Sequence, residues 1–350
     1  MKCLLLKSEL TMTTNLYKSA CKLAPTPLRG KIRAAANTGL AIRRTSFNFP
    51  DGNRRAPHRQ AVTVVGNFKF KMTTSFSTPD HLIITSLART IAKSTCKLYI
   101  HRKDKISVPQ SLGTSLLLEF NGNHYCISNA HVLIDEDFGK AFVINKAAKS
   151  MTIGGHFFST RMPENGKRED DTFDLSIVKF PDDAVKWLKD SGYLFIGMDK
   201  INSGFTPSKD DLMLMVGYPA STTKTIIRER KIITQPFYYV TNLSQNGVTG
   251  FNFSDDHHII VNYQRKRITN PITKKIQTGP LPYGMSGGGL WQLQKNNDGD
   301  WAAYLVGVMF EYLKKHSAIV STKIGVALEI IKHKLDPTIP SKDAKIIVTD

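Results

Sequence analysis

Cysteine is nearly missing from this chain: there are four in 350 residues, with Cys3 and Cys21 near the start and Cys96 and Cys126 beyond. A dense disulfide scaffold is thereby excluded, and the pattern suits a reducing interior or a disulfide-free enzyme outside the cytoplasm. No Cys/His cluster has zinc-ligand spacing and no glycine-rich phosphate loop occurs, so neither a metal nor a nucleotide cofactor is expected. No run approaches the roughly 18 apolar residues of a membrane helix, so no membrane span is expected. Leu4 to Leu6 is too short for a secretory core and is interrupted by Lys7 and Glu9. The expected location is cytoplasmic, with an organelle transit peptide as the alternative.

Acidic residues are scarce in one region. Residues 1 to 71 hold 14 Lys plus Arg against only Glu9 and Asp51, so most of the +19 formal charge belongs to that leader. Rich in Arg, Ala, Thr and Asn, with Pro25, Pro27, Pro50 and Pro57 and no sustained apolar period, it reads as disordered. It is either a transit peptide, a basic arm for anionic partners, or upstream sequence outside a working protein that starts at Met72. Nucleic acid is not an expected partner except through this leader. The domain boundaries follow: leader 1–75, main domain 76–335, C-terminal tail 336–350. With 41% hydrophobic residues the main domain can bury a normal core.

What is present is a serine among glycines, Gly284-Met285-Ser286-Gly287-Gly288-Gly289, followed by Leu290-Trp291. Glycine lacks Cβ, so it accepts positive φ and lets a ligand approach the main chain, as an oxyanion hole requires. Upstream, Leu116 to Phe120, Asn121-Gly122-Asn123 and His124 to Ile127 read as a β-hairpin. It runs into Ser128-Asn129-Ala130-His131-Val132, which sets His131 where a strand ends. Asp174 heads the alternating run Leu175-Ser176-Ile177-Val178, a half-buried strand. The competing carboxylates Asp135, Asp137, Asp170 and Asp171 read as solvated turn residues. Among the nine other histidines, His124 falls too early in the hairpin and the His257-His258 pair has no serine-glycine context.

The order is His, Asp, Ser, at separations of 43 and 112 positions, one of three chain orders known for this constellation. The Ala-His block, the Asp-Leu-Ser-Ile strand and the Gly-x-Ser-Gly-Gly block together resemble the trypsin-like serine peptidases, over roughly residues 95 to 335. The resemblance implies an all-β fold of two six-stranded antiparallel β-barrels with an N-terminal and a C-terminal helix. It implies a serine endopeptidase acting on protein or peptide substrates. Ser286 would be the nucleophile, His131 the general base, Asp174 its orienting partner, and the amides of Gly284 and Ser286 the oxyanion hole. It places Pro280 at the floor of the primary specificity pocket and Gly307 beside the substrate backbone. Met285 replaces the family's usual Asp, which removes the partner for a newly cut N-terminal amine, and Pro280 predicts no Lys/Arg preference in that pocket. No cysteine stands beside His131 as in the animal enzymes. A catalytically inactive binding module of this fold, or a basic leader that binds nucleic acid or acidic surfaces, are the alternative readings.

Further segments fit. Asp211 to Pro219, Phe237 to Asn242, His258 to Tyr263 and Ala303 to Met309 are strand-like. Thr78-Pro79-Asp80 is a helix start with Pro79 at the first helical position, followed by Leu82, Ile83, Leu87 and Ile91 at helical spacing. Ile324, Ala327, Leu328, Ile331 and Leu335 form a second helical stripe. The long polar stretch from Arg265 to Pro282 reads as a mobile rim of the cleft, and the runs Arg265-Lys266-Arg267, Lys274-Lys275 and Lys314-Lys315 as solvated loops.

Overall fold

Bends in the β-ladders shape this chain. The computed structural model describes residues 11–13, 79–101, 108–133, 139–145, 147–226, 231–244, 253–269 and 275–340. Met72, Asp135, Asp137, Lys274 and nearly all of the leader lie outside the described residues, as does the tail beyond 340.

The first sheet contains β1 (Thr95–His101), β2 (Pro109–Phe120), β3 (Asn123–Ser128), β4 (Phe142–Ile144), β5 (Ser150–Thr152), β6 (His156–Ser159) and β7 (Ser176–Lys179). Its spatial order is β5-β4-β1-β2-β3-β7-β6, all antiparallel. That is seven strands where six were anticipated; the two at one edge, β4 and β5, are only three residues each. The β2–β3 hairpin closes through Asn121 and Gly122, with φ of 47° and 78°. These left-handed values are what a two-residue turn matched to strand twist needs, and what Asn-Gly supplies.

The second sheet has the anticipated six: β8 (Leu212–Gly217), β9 (Phe237–Asn242), β10 (His258–Asn262), β11 (Gly289–Lys295), β12 (Trp301–Leu313) and β13 (Ala318–Lys323), in the order β9-β8-β11-β12-β13-β10. Both sheets are curled. Bulges place an extra residue at Leu112 of β2 opposite Leu98/Tyr99, at Val306 of β12 opposite Leu290/Trp291, and at Phe310 of β12 between Met309 and Glu311; an extra residue on one strand sharpens local twist and bends the ladder. Two small antiparallel ribbons, one joining Thr11–Thr13, Lys231–Ile233 and Lys224–Ile226 and one joining Ile268–Thr269 to Ile276–Gln277, complete the strands.

Helix α1 (His81–Ala92) is capped by Asp80, whose carboxylate accepts from Leu82 N at 3.2 Å. The cap is therefore Asp80 and not Thr78, and Pro79 lies before the helix. Helix α2 (Asp182–Asp190) buries Ala184, Val185 and Leu188 under the first sheet, and α3 (Ile324–Lys334) follows β13 directly. The main core lies between the sheets: Leu116, Leu118 and Ile127 of the first pack in one cluster with Leu214, Val216 and Leu305 of the second and with α3. This all-β pair of curled antiparallel half-barrels, with one helix before and one after, is the chymotrypsin-like arrangement. Among the described residues no helix is long and apolar enough to cross a membrane.

Candidate active site

His131 sits in a tight turn immediately after β3, where Val132 N and Leu133 N both donate to Asn129 O at 3.1 Å. The segment just before β7 is tied to that turn from several directions. Ala130 N and Asn129 Nδ2 donate to Asp174 O at 3.2 and 2.8 Å, and Ser176 Oγ donates to Asn129 O at 3.0 Å. The Asp174 carboxylate accepts from His131 N at 2.9 Å through Oδ1 and pairs with His131 Nδ1 through Oδ2. Its side chain is 5% exposed against 40% for His131. One end of the imidazole is thus locked to a buried carboxylate while the other faces the cleft. Burial pushes the Asp174 carboxyl up, and the hydrogen bonds and charge of His131 oppose that rise.

Asp174 adopts φ of 45°. Aspartate tolerates this region better than most residues, but it costs free energy and needs support. The second sheet supplies it: Thr322 Oγ1 donates to Phe173 O at 2.7 Å, and His258 Nε2 donates to Thr172 O at 2.8 Å. His258 Nδ1 lies 3.0 Å from both Ser254 N and Ser254 O, which ties the ring to the segment before β10. Burial, the largest cause, lowers the pKa of His258 from its usual value.

Ser286 lies in a loop whose glycines are required by geometry. Gly284 and Gly287 have φ of 86° and 85°. A Cβ on Gly287 would overlap the Thr114 carbonyl, and one on Gly284 would come 2.9 Å from Ala220 N. Thr114 clamps this loop: its N–H donates to Ser286 O at 2.9 Å and its Oγ1 donates to Gly284 O at 2.6 Å. The same hydroxyl accepts from Tyr218 N at 3.1 Å, and Tyr218 O accepts from the buried Lys97 Nζ at 2.6 Å. Met285 is buried against Gly217. Around the loop, Met285 N, Gly287 N and Gly288 N donate to Pro282 O, Met309 O and Met285 O, each at 2.8 Å, whereas the N–H groups of Gly284 and Ser286 have no partner among the described residues.

His131 and Ser286 line one cavity of about 260 Å³, with Met285, Met309, Phe310, Glu311 and Tyr312 among its walls. In this geometry Ser286 Oγ donates to Phe310 O at 3.5 Å, a weak contact. Among the described residues no hydrogen bond joins it to His131.

The remaining sequence expectations fall differently. Gly307 is enclosed in β12 between β11 and β13, with Thr322 O and Ser321 beside it, and does not line the cavity. Residues 309 to 312 do, because the bulge between Met309 and Glu311 interrupts strict alternation. Pro280 is likewise outside the lining, to which Pro282 and Tyr283 contribute; its carbonyl accepts from Tyr263 Oη at 2.6 Å. Asp171 is not a solvated turn residue: it is 8% exposed and accepts from Arg168 at 2.8 Å and from the Thr160 hydroxyl. Thr114, His258, Lys97 and Glu311 were missed by sequence reasoning. Only Glu311 carried a local signal, a carboxylate directly after the apolar run that ends at Phe310. Cys96 and Cys126 are free and buried, and burial pushes both thiols up, Cys126 to about 12. Among the described residues no group of three or more His, Cys, Asp or Glu side chains is arranged to hold a metal ion.

The fold class is read from these two sheets. Comparison with protein-family models finds no match, and no curated protein matches in sequence. Among solved structures the chain is similar to the scabies mite inactivated protease paralogue S-I1, at 12% identity and TM-score 0.45 over 70% of this chain and 96% of that one. It is also similar to a chain from a structure on the coupled folding and binding of the Sesbania mosaic virus VPg protein, at 11% identity and TM-score 0.36 over 71% and 92%. Likenesses at these scores carry no argument about activity.

Proposed function

We propose that the chain is a serine endopeptidase, with residues 76–335 as its peptidase domain, that cleaves protein or peptide substrates by acyl transfer to Ser286. The observation that carries the reading is the locked His131–Asp174 pair facing the cavity that holds Ser286. With Nδ1–H donated to Asp174, Nε2 of His131 is left as the proton acceptor. Ser286 Oγ leaves its weak contact with Phe310 O, attacks the scissile carbonyl carbon and passes its proton to Nε2. The carbonyl oxygen becomes an oxyanion, for which the unpartnered N–H groups of Gly284 and Ser286 are the donors. Collapse breaks the C–N bond, and the imidazolium returns the proton to the leaving amine. Water then repeats the sequence on the acyl-enzyme. The apolar walls Met285, Met309, Phe310 and Tyr312 favour an apolar side chain in the cavity.

One observation favours a second reading, a binding module without catalysis: the hydroxyl of Ser286 is bonded to Phe310 O instead of His131. Catalytic hydrogen bonds are often long before substrate binds, which keeps the first reading in front. Digestion of fluorescein-labelled casein by the purified full chain separates the two. Hydrolysis by wild type that Ser286→Ala abolishes supports the peptidase; hydrolysis that survives the substitution assigns the wrong nucleophile.

A further inference from the structure

Among the described residues, Glu311 is the one acidic residue lining the Ser286 cavity, and the other described walls, His131 apart, are uncharged. The bulge that precedes it turns its side chain toward the cleft, so that it borders a second cavity as well. That second space, of about 320 Å³, lies on the other side of His131 and shares His131, Phe310 and Glu311 with the first. A polypeptide whose scissile carbonyl sits at Ser286 has both spaces within reach of its neighbouring side chains.

The charged and titratable groups facing Glu311 are His131, which borders both cavities and is already paired with Asp174, and those of the second cavity. Arg168 borders the second cavity, but its guanidinium donates to Asp171 Oδ2 and to Thr160 O, both at 2.8 Å. Asp174 is spent on His131. Glu169 lies at the exposed edge. No hydrogen bond or ion pair holds Glu311 among the described residues, although it is half-buried. A carboxylate in that setting has lost water without gaining a bonded cation; burial and then the charge of Asp174 push its pKa up, and the charge of His131 opposes part of that rise. A cationic group entering the cleft relieves both costs, and an ammonium or guanidinium on a long flexible stem can reach the carboxylate from either space.

We infer that Glu311 is a specificity-determining residue that selects substrates with a lysine or arginine next to the apolar residue held in the Ser286 cavity. This rests on the peptidase reading. It is compatible with an uncharged floor to the primary pocket, since the basic residue belongs to the neighbouring position. A partly desolvated, charge-assisted hydrogen bond gives preferences on the order of tenfold or more.

The test is a positional-scanning library of fluorogenic peptides cleaved by the full chain, by Glu311→Gln and by Glu311→Lys, with a thermal melt to establish that each variant folds. The expected result is one position at which wild type prefers Lys or Arg over Gln and norleucine by about tenfold or more. Glu311→Gln loses that preference and Glu311→Lys shifts it toward Glu or Asp. If the variants fail to fold, the wild-type preference is measured against sodium chloride and is expected to shrink as salt rises. Cleavage with no basic preference at any position, or a preference unchanged in Glu311→Gln, overturns the inference and leaves the peptidase reading standing. Wild type that neither cleaves nor labels with a serine-directed probe overturns both.

Discussion

Thr114→Val is the substitution that most sharply separates a clamped Gly284–Gly287 loop from a loop held by packing alone. The hydroxyl of Thr114 donates to Gly284 O at 2.6 Å and accepts from Tyr218 N at 3.1 Å, and the residue is fully buried. Valine keeps the shape and removes both bonds. The net loss of two buried hydrogen bonds is about 1–3 kcal/mol, and stranding the Tyr218 N–H without a partner adds about 1–3 kcal/mol. A methyl cannot approach a carbonyl oxygen at hydrogen-bond distance, so Gly284 must also shift, which moves the N–H assigned to the oxyanion. Removing one such donor outright costs about 2.7–4 kcal/mol of transition-state stabilisation, and a displaced donor forfeits part of that. The expectation is a midpoint lowered by several degrees, at about 2–4 °C per kcal/mol for a domain of this size, together with acylation at least about tenfold slower. Calorimetry and the rate of fluorophosphonate labelling read the two effects separately. Thr114→Ser retains the hydroxyl and restores most of both. A Thr114→Val protein as stable and as reactive as wild type would refute the clamp.

Asp174→Asn leaves the His131 turn bonded through the main chain but presents an amide to Nδ1; labelling or peptide hydrolysis is expected to fall by about 10⁴-fold, as when a triad carboxylate is lost. Stability of the wild type, followed by urea unfolding, declines as pH falls below about 6.5, because the unfolded chain takes up a proton on His258 that the buried native ring resists. His258→Gln flattens that part of the curve. Lys97 is buried and its pKa is lowered by desolvation from 10.5 to about 7. Between those values the unfolded chain carries the proton and the native state does not, so stability rises with pH across the window. Lys97→Met is expected to abolish the rise, and an unchanged slope in urea titrations contradicts this placement of Lys97.

Local chemistry made much of the fold legible. Asn121-Gly122 dictated the β2–β3 hairpin, and the apolar residues after Asp174 marked β7, because both depend on residues a few positions apart; β7 is not half-buried as its alternation suggested, since Ser176, Ile177 and Val178 are all buried. Helix α2 was missed although Asp182 and Asp183 in its first turn and the spacing of Ala184, Val185 and Leu188 carry a helical signal. What could not be read locally are the partners that meet only in the folded chain. Thr114 reaches Gly284 across 170 positions, His258 reaches Thr172 across 86 and Thr322 reaches Phe173 across 149. The same limit applies around Gly307: the apolar run was recognised as a strand, but the bulge that turns residues 309 to 312 toward the cleft is a property of the β12–β13 pairing.

Reaction of the full chain with a serine-directed fluorophosphonate, read by intact-protein mass and peptide mapping, bears most directly on the proposed nucleophile. The account predicts one adduct, on Ser286, formed by the folded wild type and absent from Ser286→Ala, with strongly slowed formation in His131→Ala. A folded wild type that forms no adduct, or an adduct on any other serine, contradicts it.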